Sequence, residues 1–148
     1  MDKKGIDALV RVAEWLELGA PHVEISKGFE ISEFDMETVV SSNGNDCGTA
    51  CCIAGAICQF EMLGLDKRDA SGNLEWNNPE GTEGAFYMVR DFLGMEDLQA
   101  HKLFEPFNID IEPFEYNNPK IAAKVIRTFI KTGVVDWDAA ADQHYEEE

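Results

Sequence analysis

Apolar positions recur at helical spacing in several separate stretches of this chain, and one stretch is apolar on nearly every side. It runs from Asp46 to Leu63. After Thr49 it reads Ala50, Cys51, Cys52, Ile53, Ala54, Gly55, Ala56, Ile57 and Cys58, with Gln59 and Glu61 as its water-facing positions. A helix that is apolar all round belongs inside a core rather than on its surface. Asp46 is the predicted N-cap, because its carboxylate can accept from the free N–H groups of the first turn and suits the positive end of the helix dipole. Gly64 supplies the left-handed residue that closes the helix. Ala50, Ala54, Gly55 and Ala56 let neighbouring helices come close. Gly55 costs roughly 1 kcal/mol against Ala in a helix, so a close contact is expected there.

The flanking elements are read in the same way. Ile6, Leu9, Val10, Ala13 and Leu16 share one helical face, which predicts a helix over residues 5–18, stopped by Gly19 and Pro21. His22 to Phe34 alternates weakly and has room for a short strand, and Ser41 to Asn45 is loop by composition. Asp66 to Asn78 reads as turn and loop. An EF-hand built on Gly72 fails there, because Lys67 and Asn78 stand where that site needs Asp and Glu. Thr82 caps a predicted helix running to Leu93, with Ala85, Phe86, Val89 and Phe92 or Leu93 inward. Gly94 ends it, and Glu96 to Phe104 forms another short helix with acids first and Lys102 near the end. Pro106 and Pro113 bracket an extended segment. Asn118 and Pro119 open a strong helix whose apolar face is Ile121, Ala122, Val125, Ile126, Phe129 and Ile130, and Gly133 closes it. Val134 to Trp137 is expected to pack back on the core. Glu75-Trp76-Asn77-Asn78-Pro79 echoes Glu115-Tyr116-Asn117-Asn118-Pro119, which reads as two similar helix starts rather than a repeat array. The prediction is a mainly α fold of about five helices packed around Thr49–Leu63, with at most a small β element. Residues 1–137 form a single domain, and residues 138–148 an acidic, frayed tail.

Within the central stretch, Cys47-Gly48-Thr49-x-x-Cys52-x-Ala54-Gly55 resembles a motif of small uncharacterised proteins of tailed phages and bacteria. As in those proteins, Phe34-Asp35-Met36 comes shortly before. Phe92-Leu93-Gly94 to Leu103-Phe104 and Thr132-Gly133-x-Val135-Asp136-Trp137 follow, so the similarity covers roughly residues 34 to 137. The resemblance implies one domain and a phage or bacterial origin, and it transfers no catalytic residue.

Charge narrows the function. The chain carries 12 basic against 29 acidic residues, a formal net charge of −17. By segment the balance is 4 against 10 in residues 1–50, 3 against 9 in 51–100 and 5 against 10 in 101–148, so the acidity is not confined to a tail. Direct binding to nucleic acid is disfavoured, since phosphate contacts need Lys and Arg, and anionic membranes are disfavoured for the same reason. A basic protein, or a protein surface that normally holds nucleic acid, is the natural partner; a merely well-solvated surface is the alternative. The N-terminal residues lead into an amphipathic stretch rather than a signal peptide, and no apolar run is long enough to span a bilayer. A reduced, cytoplasmic setting fits the clustered cysteines.

Candidate chemistry is sparse. Cys47 is the catalytic candidate, because a thiolate at a helix N-terminus is stabilised by the dipole and by free N–H groups. It would need a base, and His22, His101 and His144 are the candidates, none in a recognisable motif. Asp46 opposes ionisation, and the papain-type spacing and Trp are absent. Cys47, Cys51 and Cys58 share a helical face, but zinc sites usually pair cysteines two to four apart and add a second pair, which this chain lacks. Buried cysteines acting as small hydrophobes are the simpler reading, so no metal is predicted. No phosphate loop, serine elbow or His-Glu-x-x-His pattern is present, and no cofactor is implied.

The segment from Phe104 to Tyr116 mixes aromatic and aliphatic residues with acids and contains no Lys or Arg. Either its Phe side chains anchor a loop to the core, or Phe107 and Phe114 stand as apolar anchors within a rim of Glu105, Asp110, Glu112 and Glu115, a composition suited to a basic groove. The function read from charge and this segment is therefore an acidic interaction protein, and the resemblance implies that it is of phage type. Its concrete form is a nucleic-acid mimic that inhibits a basic host defence or transcription protein. The alternative is a Cys-dependent enzyme using Cys47 with a His base.

Overall fold

Asp2 opens the first helix, its Oδ1 accepting from the N–H of Gly5 at 3.0 Å, so one free donor of the first turn is satisfied. The computed structural model describes residues 2–26, 29–31, 33–34, 36, 40–42, 49–61, 85–106 and 112–146. Helix α1 spans Lys3–Glu17 and buries Ala8, Leu9, Val12, Ala13, Trp15 and Leu16. It ends where the chain turns through left-handed Gly19 and Ala20, and Trp15 Nε1 donates to the Pro21 carbonyl at 2.7 Å, fixing the turn.

Among the described residues five short strands follow. Strands β1 (Val23–Ser26) and β2 (Phe29–Ile31) pair antiparallel. Strands β3 (Glu33–Phe34), β4 (Val40–Ser42) and β5 (Thr49–Cys51) form a second sheet in the order β3-β5-β4, β5 lying parallel to β3 and antiparallel to β4. Ser41 and Ser42, expected in a loop, therefore belong to a strand. Thr49 to Cys51, expected in the first turn of the central helix, instead form the middle strand of this sheet. A short apolar run is ambiguous between helix and strand, and here backbone pairing on both edges decides for the strand.

The central helix, α2, spans Ile53–Glu61. Its first bonds come from Cys52, whose carbonyl accepts from Ala56 N–H at 2.8 Å and whose Sγ accepts from Gly55 N–H at 3.4 Å. Cys52 thus holds the capping position assigned to Asp46; Asp46 and Gly64 lie outside the described residues. Every residue from Ile53 to Phe60 is buried. That includes Gln59, 0 % exposed where the sequence pointed it at water. The helix packs against α1, β2 and β5, and against two later helices, α3 (Ala85–Leu93) and α4 (Asp97–Phe104).

Helix α3 (Ala85–Leu93) buries Phe86, Val89 and Leu93 and stops at left-handed Gly94. Thr82 lies outside the described residues. Helix α4 (Asp97–Phe104) buries Ala100, Leu103 and Phe104. Helix α5 (Pro113–Tyr116) starts at the far bracket of the segment expected to be extended, whose residues 107–111 lie outside the described residues: Pro113 sits at its first position, where proline's fixed φ suits a helix and its missing N–H costs nothing. Helix α6 (Pro119–Thr132) is capped by Asn118, whose Oδ1 accepts from Lys120 and Ile121 N–H at 2.9 and 3.4 Å. It buries Ile121, Ala122, Ala123, Val125, Ile126 and Phe129 and closes at left-handed Gly133. Val135 and Trp137 then fold back, Trp137 Nε1 donating to the Lys102 carbonyl at 2.9 Å.

Residues 137–146 correct one expectation. They form helix α7 (Trp137–Glu146), with Ala140 and Ala141 buried against α6, rather than a frayed tail. The small alanines let the two helices approach despite the acidic outer face. The fold is mainly α: seven helices among the described residues enclose a continuous core, with the strands set to one side of the α2 start.

Candidate acidic interaction face

The residues singled out in the 104–116 segment sit on two helix ends. Glu105 terminates α4: its N–H donates to the His101 carbonyl at 2.9 Å, and its Oε1 meets His101 Nδ1 in a very short contact. Glu112 precedes α5, and its N–H donates to Glu115 Oε1 at 3.2 Å, so Glu115 closes the helix start with its own side chain. Phe114 points outward, 69 % exposed. Glu112 and Pro113 beside it are exposed, Glu115 is half-buried, and Tyr116 turns into the core. The structure thus places an exposed aromatic ring and two carboxylates on one short helix. Phe107 and Asp110 lie outside the described residues.

This helix is held in place by its C-terminal neighbours. Asn117 Oδ1 accepts from the Met36 N–H at 2.8 Å, tying the end of α5 to the strand-bearing part of the chain, and Asn118 caps α6. The paired asparagines therefore do different work: one reaches across the fold, the other starts the next helix.

A second cluster adjoins Glu105. His101 contacts Asp97 Oδ2 through Nε2 at 3.4 Å as well as Glu105 through Nδ1, both partners one helical turn away. Its ring stacks on Phe86 at 4.5 Å between centroids. Asp97 also accepts from Arg90 Nη1 at 2.7 Å, and that hydrogen bond, ahead of the others, raises the guanidinium's pKa. The sequence reading treated His101 only as a candidate base. The spacing of Asp97, His101 and Glu105 was the available signal for this network.

The described arginines are all committed within the molecule. Arg11 donates to the Phe60 carbonyl at 3.2 Å and covers its ring, Arg90 binds Asp91 and Asp97, and Arg127 binds Glu17. Lys4 sits over the Phe92 ring at 4.4 Å. These side chains are thus drawn into intramolecular contacts, while Lys3, Lys102, Lys120 and Lys131 are exposed, as is Glu112.

The cysteine readings rest on a helix that begins later than expected. Cys47 lies outside the described residues, and α2 starts six positions beyond it, at Ile53. The dipole argument for a Cys47 thiolate loses its premise. Cys51 is in β5 and Cys58 in α2, so Cys47, Cys51 and Cys58 do not share one helical face. Burial, and secondarily the neighbouring Cys52, pushes the Cys58 thiol pKa strongly up, which keeps it protonated as a small apolar group. Among the described residues no group of His, Cys, Asp and Glu could hold a metal ion, and no helix is long and apolar enough to cross a membrane. No protein-family model, curated protein or solved structure matched the chain.

Proposed function

We propose that this is a phage-type acidic interaction protein that binds a basic host protein, in its most concrete form as a nucleic-acid mimic that inhibits a defence or transcription protein. The observation that carries this reading is Phe114, 69 % exposed on a short helix beside Glu112 and Glu115. A net charge of −17 speeds encounter with a basic target but selects poorly among targets. Specificity needs an apolar anchor that is desolvated on binding, and Phe114 supplies one within an acidic rim.

The test is capture from a bacterial lysate at low and at high salt, using the wild-type chain, Phe114→Ala and the double variant Glu112→Lys/Glu115→Lys. The expected result is a basic protein retained at low salt by wild type only. Equal retention by all three chains would sink the assignment of this face.

A further inference from the structure

A groove on another face, between the start of α1, the turn joining α3 to α4, and the C-terminal end of α6, encloses about 370 Å³. Its apolar lining comes from Ile6, Met95, Phe129 and Ile130, and its polar edge from Glu96 and Gln99. Met95 and Phe129 are buried, while Ile6 and Ile130 are half-buried and offer open apolar surface. Gln99 is fixed, its Oε1 accepting from the Val135 N–H at 2.8 Å, so this edge of the groove is built rather than loose.

Among the described residues, Glu96 is the one ionisable residue lining the groove. It occupies the N-cap position of α4, yet its side chain makes no capping bond, and no described side chain pairs with it. Neighbouring acids are spent: Asp97 on Arg90 and His101, Asp136 on the Ala139 N–H, Glu105 on His101. Helix ends do not decide the sign of the site. The C-termini of α3 and α6, at Gly94 and Gly133, bring partial negative charge, and the N-terminus of α4 brings partial positive charge against it. The uncompensated Glu96 carboxylate therefore sets the polarity.

An apolar trough with one carboxylate at its edge is complementary to an aliphatic stem that ends in a cation. We infer that the groove receives a lysine side chain of the basic partner, its methylenes against Ile6 and Ile130 and its ammonium at Glu96. Lysine suits the site because it buries its stem along apolar surface while keeping its charge at the edge. This inference rests on the proposed basic partner, but its chemistry is testable without one.

The experiment is an NMR titration of the full chain with hexylammonium, hexanol and hexanoate, each against wild type and Glu96→Gln. Glu96 is exposed, so the variant is expected to fold. The inference expects shifts centred on Ile6, Met95, Gln99 and Ile130, with hexylammonium binding about threefold tighter than hexanol, the preference an exposed ion pair supplies. Hexanoate should bind weakest, and Glu96→Gln should bring hexylammonium level with hexanol. Equal binding of all three probes, shifts centred elsewhere, or no shifts at tens of millimolar would each overturn it. Loss of this pattern while Phe114→Ala still abolishes partner capture would remove the groove and leave the proposed function standing. The opposite result would remove the Phe114 face and leave the groove's preference for an alkyl cation.

Discussion

Arg127 of α6 closes on Glu17 of α1 with both ends of its fork, Nε to Oε2 at 3.1 Å and Nη2 to Oε1 at 2.9 Å. The two residues join the helices that share the most extensive contact in the fold. The Arg127 hydrogen bond is the main reason that the Glu17 carboxyl lies below its ordinary pKa. A carboxylate depressed in the folded state stabilises above the unfolded pKa, and that contribution disappears as pH falls through the folded value. Both side chains are more than a third exposed, so solvent holds the pair to about 0.2–1 kcal/mol. Glu17→Gln should therefore lower stability by that amount at pH 7 and leave it unchanged near pH 2. Urea melts at the two values test this, and an equal loss at both would show that packing rather than charge is responsible.

The core makes a larger demand. Ile57 is 0 % exposed on a helix that touches α1, α3 and α4. Ile57→Ala should cost about 2–5 kcal/mol, the transfer of the lost methyl groups plus the cavity they leave. Leu18 is equally apolar but 77 % exposed, and Leu18→Ala should stay within about 0.5 kcal/mol. Similar melts for the two variants would mean that α2 is peripheral.

Cys58 tests the same helix by chemistry. Burial raises its thiol pKa, so the folded state keeps the proton that the unfolded chain loses above about pH 8.5. Stability should then fall as pH rises through that value, and Cys58→Ala should flatten the alkaline slope. Iodoacetamide at pH 8 should leave Cys58 unmodified in the native protein and label it in denaturant, as read by peptide mass. Rapid native labelling would place the thiol at the surface.

These predictions draw on elements of unequal legibility. Helices α1 and α6 could be read directly: Ile6 to Leu16 and Ile121 to Ile130 mark their inner faces, and Asn118, Gly19 and Gly133 mark their ends. Cys51 and Cys52 could not be sorted from sequence, because a short apolar run suits a strand and a buried helix equally. What separates them is pairing of Thr49–Cys51 with strands that begin 16 residues earlier at Glu33 and nine residues earlier at Val40, a non-local fact. Gln59 failed for a related reason, since polarity predicts solvent and only the packing around α2 overrides it. At the candidate face, composition points to the segment, but Pro113, which marks the end of an extended stretch in the sequence, serves as the opener of a helix. The groove was invisible, because Ile6, Glu96 and Phe129 are brought together only by the fold.

The partner surface gives the most exposed prediction. Phe114 contributes apolar area that water now covers, so desolvating it on binding should slow dissociation; Phe114→Ala should raise the off-rate with little effect on the on-rate. Glu112 and Glu115 act at longer range, and reversing both to Lys should slow association and flatten its dependence on salt. Glu115 also accepts the Glu112 N–H at 3.2 Å, and Glu112 is its partner in the capping box that opens α5, so either reversal carries a small local cost at α5. Glu112→Lys alone should show the same change of on-rate in reduced form. Surface-plasmon kinetics at several salt concentrations separate the two effects. If Phe114→Ala changed the on-rate, or if charge reversal left it untouched, ring and carboxylates would not be acting as anchor and rim, and the acidic face would have to lie elsewhere on the molecule.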